Sequence, residues 1–399
     1  MEKSVNKTYA RIYICHTYYH VYIACLKELN LPGEGKQGEP LRGQASLMLS
    51  SMSNDFGNLK ERAEKSGLFE EVIPYDEKEE AYFPELAKYH KDRGNIVLNM
   101  LSRMKYTKMM GKLQAPFVPV DLKRYGDIYV FCDSDPIGYY LSTHKIYYHA
   151  LEDGLDCIRY YDTARYDNRG HFGLKAWMAD KNLIFIQNGY SKYCLDMEVN
   201  DISVLQYPCP KYIEKPRKEL TEHLGEEEKE LLVSIFIENK AELDAMLTQK
   251  AEPASEVGEG SGEGESVPSE IGEAFTADQK VGKVLVLSEP LCDLETRERI
   301  FKDIIEEYGR VDGKMANIII KPHPRDVLDY KKLFPEHIVL DGKFPMEILN
   351  YVKGLVFDKV VTVFTVPPAI LFAKEKVFLG EDFMDKYEDP EIHRQNEQI

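Results

Sequence analysis

The segment Ile318-Ile319-Ile320-Lys321-Pro322-His323-Pro324-Arg325 sets one imidazole between two prolines, with a cation on either side. The β-branched run reads as a buried strand, and the prolines stop it abruptly. In open α/β sheets, ligands bind beyond the carboxyl ends of the strands, so a histidine held stiffly there is placed for proton transfer near neutral pH. His-Pro also shapes ordinary strand-to-loop turns, and other segments must decide between the two readings.

Ser288-Glu289-Pro290-Leu291-Cys292-Asp293 follows the apolar run Val284–Leu287. In a βαβ unit two successive strand ends open on one sheet edge, so the Asp293 carboxylate and the His323 imidazole are expected to share it. Asp293 also suits the N-cap of a helix beginning at Leu294. Thr362 and Thr365 lie in a strand, turn and helix start, Val361 to Ala369, where hydroxyls and helix amides favour a phosphate. Pro367 and Pro368 remove two of those amides and leave more of the binding to the hydroxyls. Glu347, after Phe344-Pro345-Met346, suits a ribose diol, and equally the first turn of a helix.

In the N-terminal half, Leu151-Glu152-Asp153-Gly154 closes a strand with two acids suited to binding sugar hydroxyls or taking a proton. Asp-Gly is also a common turn. The strand Ile12–Cys15 ends in His16-Thr17-Tyr18-Tyr19-His20, a polar and aromatic cluster suited to stacking on a sugar or to packing. His16, Thr17, Tyr19 and Glu152 are therefore candidate acceptor contacts.

Those residues need two sheets. From Ala10 to about Gln206, short apolar strands alternate with helical stretches, at Ile12–Cys15, Ala45–Leu49, Phe69–Ile73, Ile128–Cys132, Lys145–Leu151, Leu183–Gln187 and Ser203–Leu205. The pattern implies a parallel, helix-covered sheet. Residues 216–250 read as a charged helical connector after an acceptor-binding domain at 1–215. Between Lys250 and Lys280 the chain has no Lys or Arg and is rich in Glu, Gly, Ser and Pro, a disordered acidic tether by composition. Alternation resumes at 281–399, the expected donor-binding domain, with helices at Glu295–Tyr308, Pro345–Val352 and Pro367–Ala373. The fold class is α/β, two Rossmann-like domains with parallel sheets.

The 399 residues, 43% hydrophobic, have ample core for two domains, and the formal net charge of -17 argues against a nucleic-acid surface. Seven cysteines without a C-x-x-C pair read as core thiols of a reducing compartment, with neither a disulfide framework nor a structural metal. No apolar run reaches the roughly 18 residues of a membrane span. The chain reads as cytoplasmic, with room for peripheral membrane attachment and for a homodimer.

Cys15-x-Thr17, Leu151-Glu152-Asp153-Gly154, Ser288-x-Pro290-x-x-Asp293, Pro322-His323-Pro324-Arg325 and Thr362–Ala369 occur in one order. This ordered set resembles glycosyltransferase family 52, the bacterial lipooligosaccharide sialyltransferases, over Ala10 to Gly380 apart from the tether. More distantly it is similar to other bacterial sialyltransferases and polysialyltransferases with an acidic-acidic-Gly and a His-Pro motif. The resemblance implies a GT-B-like, inverting transferase with its domains facing across a cleft, needing neither metal nor cofactor and using CMP-sialic acid as donor. It makes His323 the general acid on the departing phosphate and Asp293 the base on the acceptor hydroxyl. The more distant families nominate Asp153 instead. Pro324 and Glu347 would lie by the cytidine and Thr365 by the phosphate, with Lys321 helping to neutralise it and Arg325 pairing with a carboxylate or phosphate. Thr365-Val366-Pro367-Pro368 stands where relatives have a serine and small residues, and the family holds at least one other sugar-transfer activity. A transferase of another sugar, such as glucose, and a catalytically silent nucleotide-sugar binder are the alternatives.

Overall fold

The computed structural model describes residues 9–33, 41–131, 133–134, 136–153, 157–158, 162–248, 282–365 and 367–389. The tether at 251–280, Gly154, Cys132 and Val366 lie outside the described residues. Contacts divide the chain into two units. Met1–Glu238, Gly342–Lys353 and Met384–Ile399 form the first, and Asn239–Asp341 with Gly354–Phe383 the second. The helices Arg217–Glu222 and Glu226–Phe236 thus belong to the first unit, as does the segment carrying Glu347.

The first unit holds β1 (Tyr9–Cys15), β2 (Ala45–Ser50), β3 (Phe69–Tyr75), β4 (Tyr125–Phe131), β5 (Tyr148–Leu151), β6 (Cys194–Val199) and β7 (Tyr212–Glu214). Their order is β3-β2-β1-β4-β5-β6-β7, and every neighbouring pair is parallel. Strand order reverses between β1 and β4, the switch point where such sheets open a crevice. Ile12, Ile14, Met48, Val130 and Ala150 are buried on strands that helices cover, as a parallel sheet requires.

Two expected strands are absent. Leu183–Gln187 and Ser203–Leu205 are connections, and β6 and β7 take the sheet positions beyond β5. Ile184, Phe185 and Ile186 are buried without pairing, because an apolar run fills a core as well from a loop as from a strand. The acids of β6 hide it in the sequence, and both are partnered: His149 Nδ1 lies 2.8 Å from Asp196, and Lys27 Nζ donates to Glu198 at 2.6 and 2.8 Å.

One close approach sets the helix Pro136–His144 against the end of β4. A Cβ at Gly138 would collide with the Asp133 carbonyl oxygen and lie 2.5 Å from the Phe185 ring. Asp133 is itself sealed, with its carboxyl pushed up to about 6 by burial. Gly138→Ala is expected to destabilise the protein by about 1–3 kcal/mol, the usual cost of overpacking, read as a lower denaturant midpoint at unchanged slope.

The second unit holds β8 (Lys283–Leu287), a hairpin of β9 (Arg310–Val311) and β10 (Lys314–Met315), β11 (Asn317–Lys321), β12 (Ile338–Val339), β13 (Phe357–Thr362) and β14 (Ala373–Phe378). The sheet order is β12-β11-β8-β13-β14, all parallel, with the reversal between β8 and β13. The helix Leu294–Tyr308 covers it with Ile300, Phe301, Ile304 and Ile305 buried. The helix expected at Pro367–Ala373 is a single 3-10 turn, Pro367–Ala369, and β14 begins at Ala373, which leaves no room for a longer one. Pro345–Val352 is likewise a 3-10 helix, Met346–Tyr351.

Candidate active site

At the switch point of the first unit, β1 runs into the helix Tyr18–Leu29, whose N-cap Thr17 accepts the His20 N–H through Oγ1 at 3.1 Å. That cap turns the His20 ring back toward the strand end. The His16 N–H donates to His20 Nδ1 at 3.0 Å, so Nδ1 is an acceptor and the ring proton sits on Nε2. His20 Nε2 then donates to Asp153 Oδ1 in a short hydrogen bond. The imidazole is buried and stacks on Phe131, the last residue of β4, at 4.1 Å and 4° between planes. The Asp153 side chain is 34% exposed, so this carboxylate meets solvent while its partner is sealed behind it.

A backbone N–H cannot accept a hydrogen bond, so a second proton on His20 would cost the bond at Nδ1. His20 therefore orients Asp153 as a neutral donor. A cation in that place would oppose proton uptake by the carboxylate more strongly.

The other candidates of this edge are engaged in the scaffold. His16 is 2% exposed, with Nε2 at 2.7 Å from Glu77 Oε2. The same carboxylate accepts from Ser50 Oγ at 2.8 Å and from the Ile137 N–H at 2.8 Å, tying the ends of β1 and β2 to a helix start. Glu152 is buried and accepts the Asn200 N–H at 2.6 Å; burial raises its carboxyl. Tyr19 is half-buried, with its hydroxyl raised by burial and next to the Arg217 guanidinium and the Glu347 charge. Arg217 also donates to the Glu152 carbonyl at 3.1 Å.

In the second unit His323 follows β11 directly. Its backbone N–H donates to Ser288 Oγ at 3.1 Å, and Ser288 N donates to the Lys321 carbonyl at 3.1 Å, which staples the ends of β8 and β11. Ser288 Oγ in turn donates to Asp326 Oδ2 at 2.8 Å. Asp326 also receives Arg297 at 2.6 Å and the Tyr330 hydroxyl at 2.7 Å. Arg297 reaches on to the carbonyls of Leu291 and Cys292 at 2.7 and 2.9 Å, so one buried carboxylate positions both the His323 turn and the loop leading to Asp293.

The Arg325 N–H donates to His323 Nδ1 at 3.1 Å, which leaves the neutral ring's proton on Nε2. Burial lowers the imidazole to about 4, with the charges of Arg325 and Lys321 adding to it. Lys321 is buried and donates to the Pro322 carbonyl at 2.8 Å; Pro324 is half-buried and Arg325 exposed.

Asp293 caps the helix Leu294–Tyr308. Oδ1 accepts the Thr296 N–H at 3.0 Å and Oδ2 the Thr296 hydroxyl at 2.8 Å, which holds the exposed carboxyl below its usual range. Thr365 donates its N–H and hydroxyl to Glu289 at 2.7 and 2.8 Å, and the Phe364 N–H joins them at 3.1 Å. Thr362 Oγ1 donates to the Thr365 carbonyl at 2.7 Å. Of the donors expected to hold a phosphate at this strand end, Thr365 is thus engaged by the Glu289 carboxylate across the β8–β13 switch point and Thr362 by a carbonyl of its own loop.

Sequence reasoning singled out neither His20 as the partner of Asp153 nor the Asp326 hub. His20 carried a signal only as part of the polar and aromatic cluster that ends the first strand. Asp326 and Glu289 had none beyond adjacency to His323 and Ser288. Among the described residues no group of three or more His, Cys, Asp or Glu is arranged to hold a metal ion, and no disulfide joins the described cysteines. No described helix is long and apolar enough to cross a membrane.

The sequence pattern of glycosyltransferase family 52 matches residues 74–378, and the chain belongs to that family. An uncharacterized protein of Haemophilus influenzae is 34% identical over 103 residues, 24% of this chain and 31% of that protein's length. Among solved structures the chain is similar to the α/β-galactoside α-2,3-sialyltransferase of the luminous marine bacterium Photobacterium phosphoreum, at 11% identity and TM-score 0.47, covering 92% of this chain and 90% of the other. It is also similar to CalG4, the calicheamicin glycosyltransferase, at 9% identity and TM-score 0.38, covering 98% and 92%.

Proposed function

We propose that the protein transfers sialic acid from CMP-sialic acid to a terminal galactose-type hydroxyl of a lipooligosaccharide or capsule glycan, with inversion and without a metal ion, in the cytoplasm. Family membership supports the reaction class, and the ordered motifs support the donor. The observation that carries the mechanism is Asp153 backed by neutral His20 at the carboxyl edge of the first sheet.

In this reading the acceptor hydroxyl gives its proton to Asp153 as its oxygen bonds to the anomeric carbon. The carbon–oxygen bond to the CMP phosphate breaks, and the phosphate keeps the electron pair. His323 Nε2–H meets the charge that develops on that phosphate. Asp293 is the weaker candidate for base because both of its oxygens are bound to Thr296 and its carboxyl is held low. Tyr19, Arg217 and Glu347 are the groups nearest to hand for reading the bound sugar or nucleoside.

The experiment is incubation with a galactose-terminated acceptor and either CMP-sialic acid or UDP-sugars. Acceptor-dependent release of CMP is expected. Release of UDP alone would transfer the reading to another sugar, and nucleotide binding without turnover would make the chain a silent binder.

A further inference from the structure

We propose that the helix Ile96–Gln114, with Leu174 and Trp177 beside it, is a docking surface for an anionic lipid membrane. Its first turns carry Ile96, Val97, Leu98 and Leu101, all exposed, with Val97 at 62%. Trp177 is 54% exposed on the helix Phe172–Asp180, which packs on the first helix through Met178 and Ala179 against Met100 and Met104. So much exposed apolar surface on adjoining elements marks a contact site, and Trp with Leu is the combination favoured where one side of a helix enters a lipid interface.

Charge identifies the partner. The chain carries a net charge of -17, yet between Asp92 and Asp121 there is no Asp or Glu, while Arg93, Arg103, Lys105, Lys108 and Lys112 fall in that interval. Val97, Leu101, Lys105, Lys108 and Lys112 stand at i, i+4, i+8, i+11 and i+15, one face of an α-helix, and all five are exposed. The opposite side is spent on the fold, with Met110 and Gln114 buried. Of the acids at the border, Asp180 pairs with Lys181, while Asp92, held by Asn99 and the Gly94 N–H, keeps its charge at the rim next to Arg93. An apolar end followed by a row of lysines matches acyl chains beneath anionic headgroups. A second copy docked on this face by two-fold symmetry is the competing occupant, and light scattering distinguishes it.

The inference does not rest on the sugar or on the base assigned above, because its readout is binding. The full chain is sedimented with vesicles of phosphatidylcholine alone and of phosphatidylcholine mixed with phosphatidylglycerol, at low and high salt. Binding is expected only to the mixed vesicles and is expected to weaken with salt. Val97→Ser with Leu101→Ser, and separately Lys105→Glu with Lys108→Glu, should each lower partitioning by about tenfold or more without lowering the melting temperature. Absence of binding to the mixed vesicles, or binding that both variants leave unchanged, overturns the proposal. So does a wild-type dimer in light scattering that the Val97 and Leu101 substitutions dissociate, which would make this face an interface between copies.

Discussion

Asp153→Asn is expected to lower turnover by about a thousandfold while donor-nucleotide affinity stays nearly unchanged, the size and pattern produced by removing a general base. The substitution preserves shape, and the amide oxygen still accepts from His20 Nε2, so the melting temperature should move little. What is lost is the capacity to take a proton. Asp293→Asn provides the contrast: Asn caps a helix about as well as Asp, so little change in stability and a small effect on turnover are expected. Full activity in the first variant together with a dead second one would return the base to Asp293. His20→Phe keeps the stack on Phe131 but deletes the donor, and a loss of about tenfold or more in kcat is expected. His20→Gln, which offers an amide hydrogen, should recover part of that loss. A scaffold role would show no such recovery.

The sequence made the strands at the carboxyl edge of the second sheet visible, because Ile318–Ile320 and Val284–Leu287 are unbroken apolar runs soon ended by Pro or Ser. It also placed Asp153 and His323 beyond strand ends. What it could not convey is which donors and acceptors meet. Thr365 reads as a phosphate ligand, and its N–H lies on Glu289, 76 residues away. His16 reads as an acceptor contact, and its ring lies on Glu77, 61 residues away. Polar residues at a sheet edge serve ligands or one another, and only the tertiary arrangement distinguishes the two. Asp293 shows the converse, since its N-cap geometry with Thr296 follows from local spacing alone. The strand misread at Leu183–Gln187 failed for a simpler reason: burial without pairing leaves the same apolar trace as burial in a sheet.

His323→Ala should reduce turnover by about a hundredfold, and His323→Gln should restore about a tenth of the wild-type rate. The argument turns on the protonation state. The ring lies at about 4 in the free protein, so carrying it to imidazolium at neutral pH takes roughly 4 kcal/mol. A charge-assisted bond to phosphate supplies about 1.5–3 kcal/mol, and protonating Nδ1 forfeits the Arg325 N–H bond, worth about 1 kcal/mol. The neutral form wins in the ground state. His323 thus acts on the phosphate as a neutral Nε2–H donor whose bond strengthens as negative charge develops, and the proton stays on the ring, because its loss would leave an imidazolate far more basic than the phosphate. A glutamine amide can imitate a neutral donor and cannot imitate an acid. CMP binding should also take up little proton at neutral pH, which calorimetry in buffers of different ionisation enthalpy reads directly. A glutamine variant as inactive as alanine, joined to uptake of one proton on CMP binding, would instead establish His323 as an imidazolium acid in the bound state.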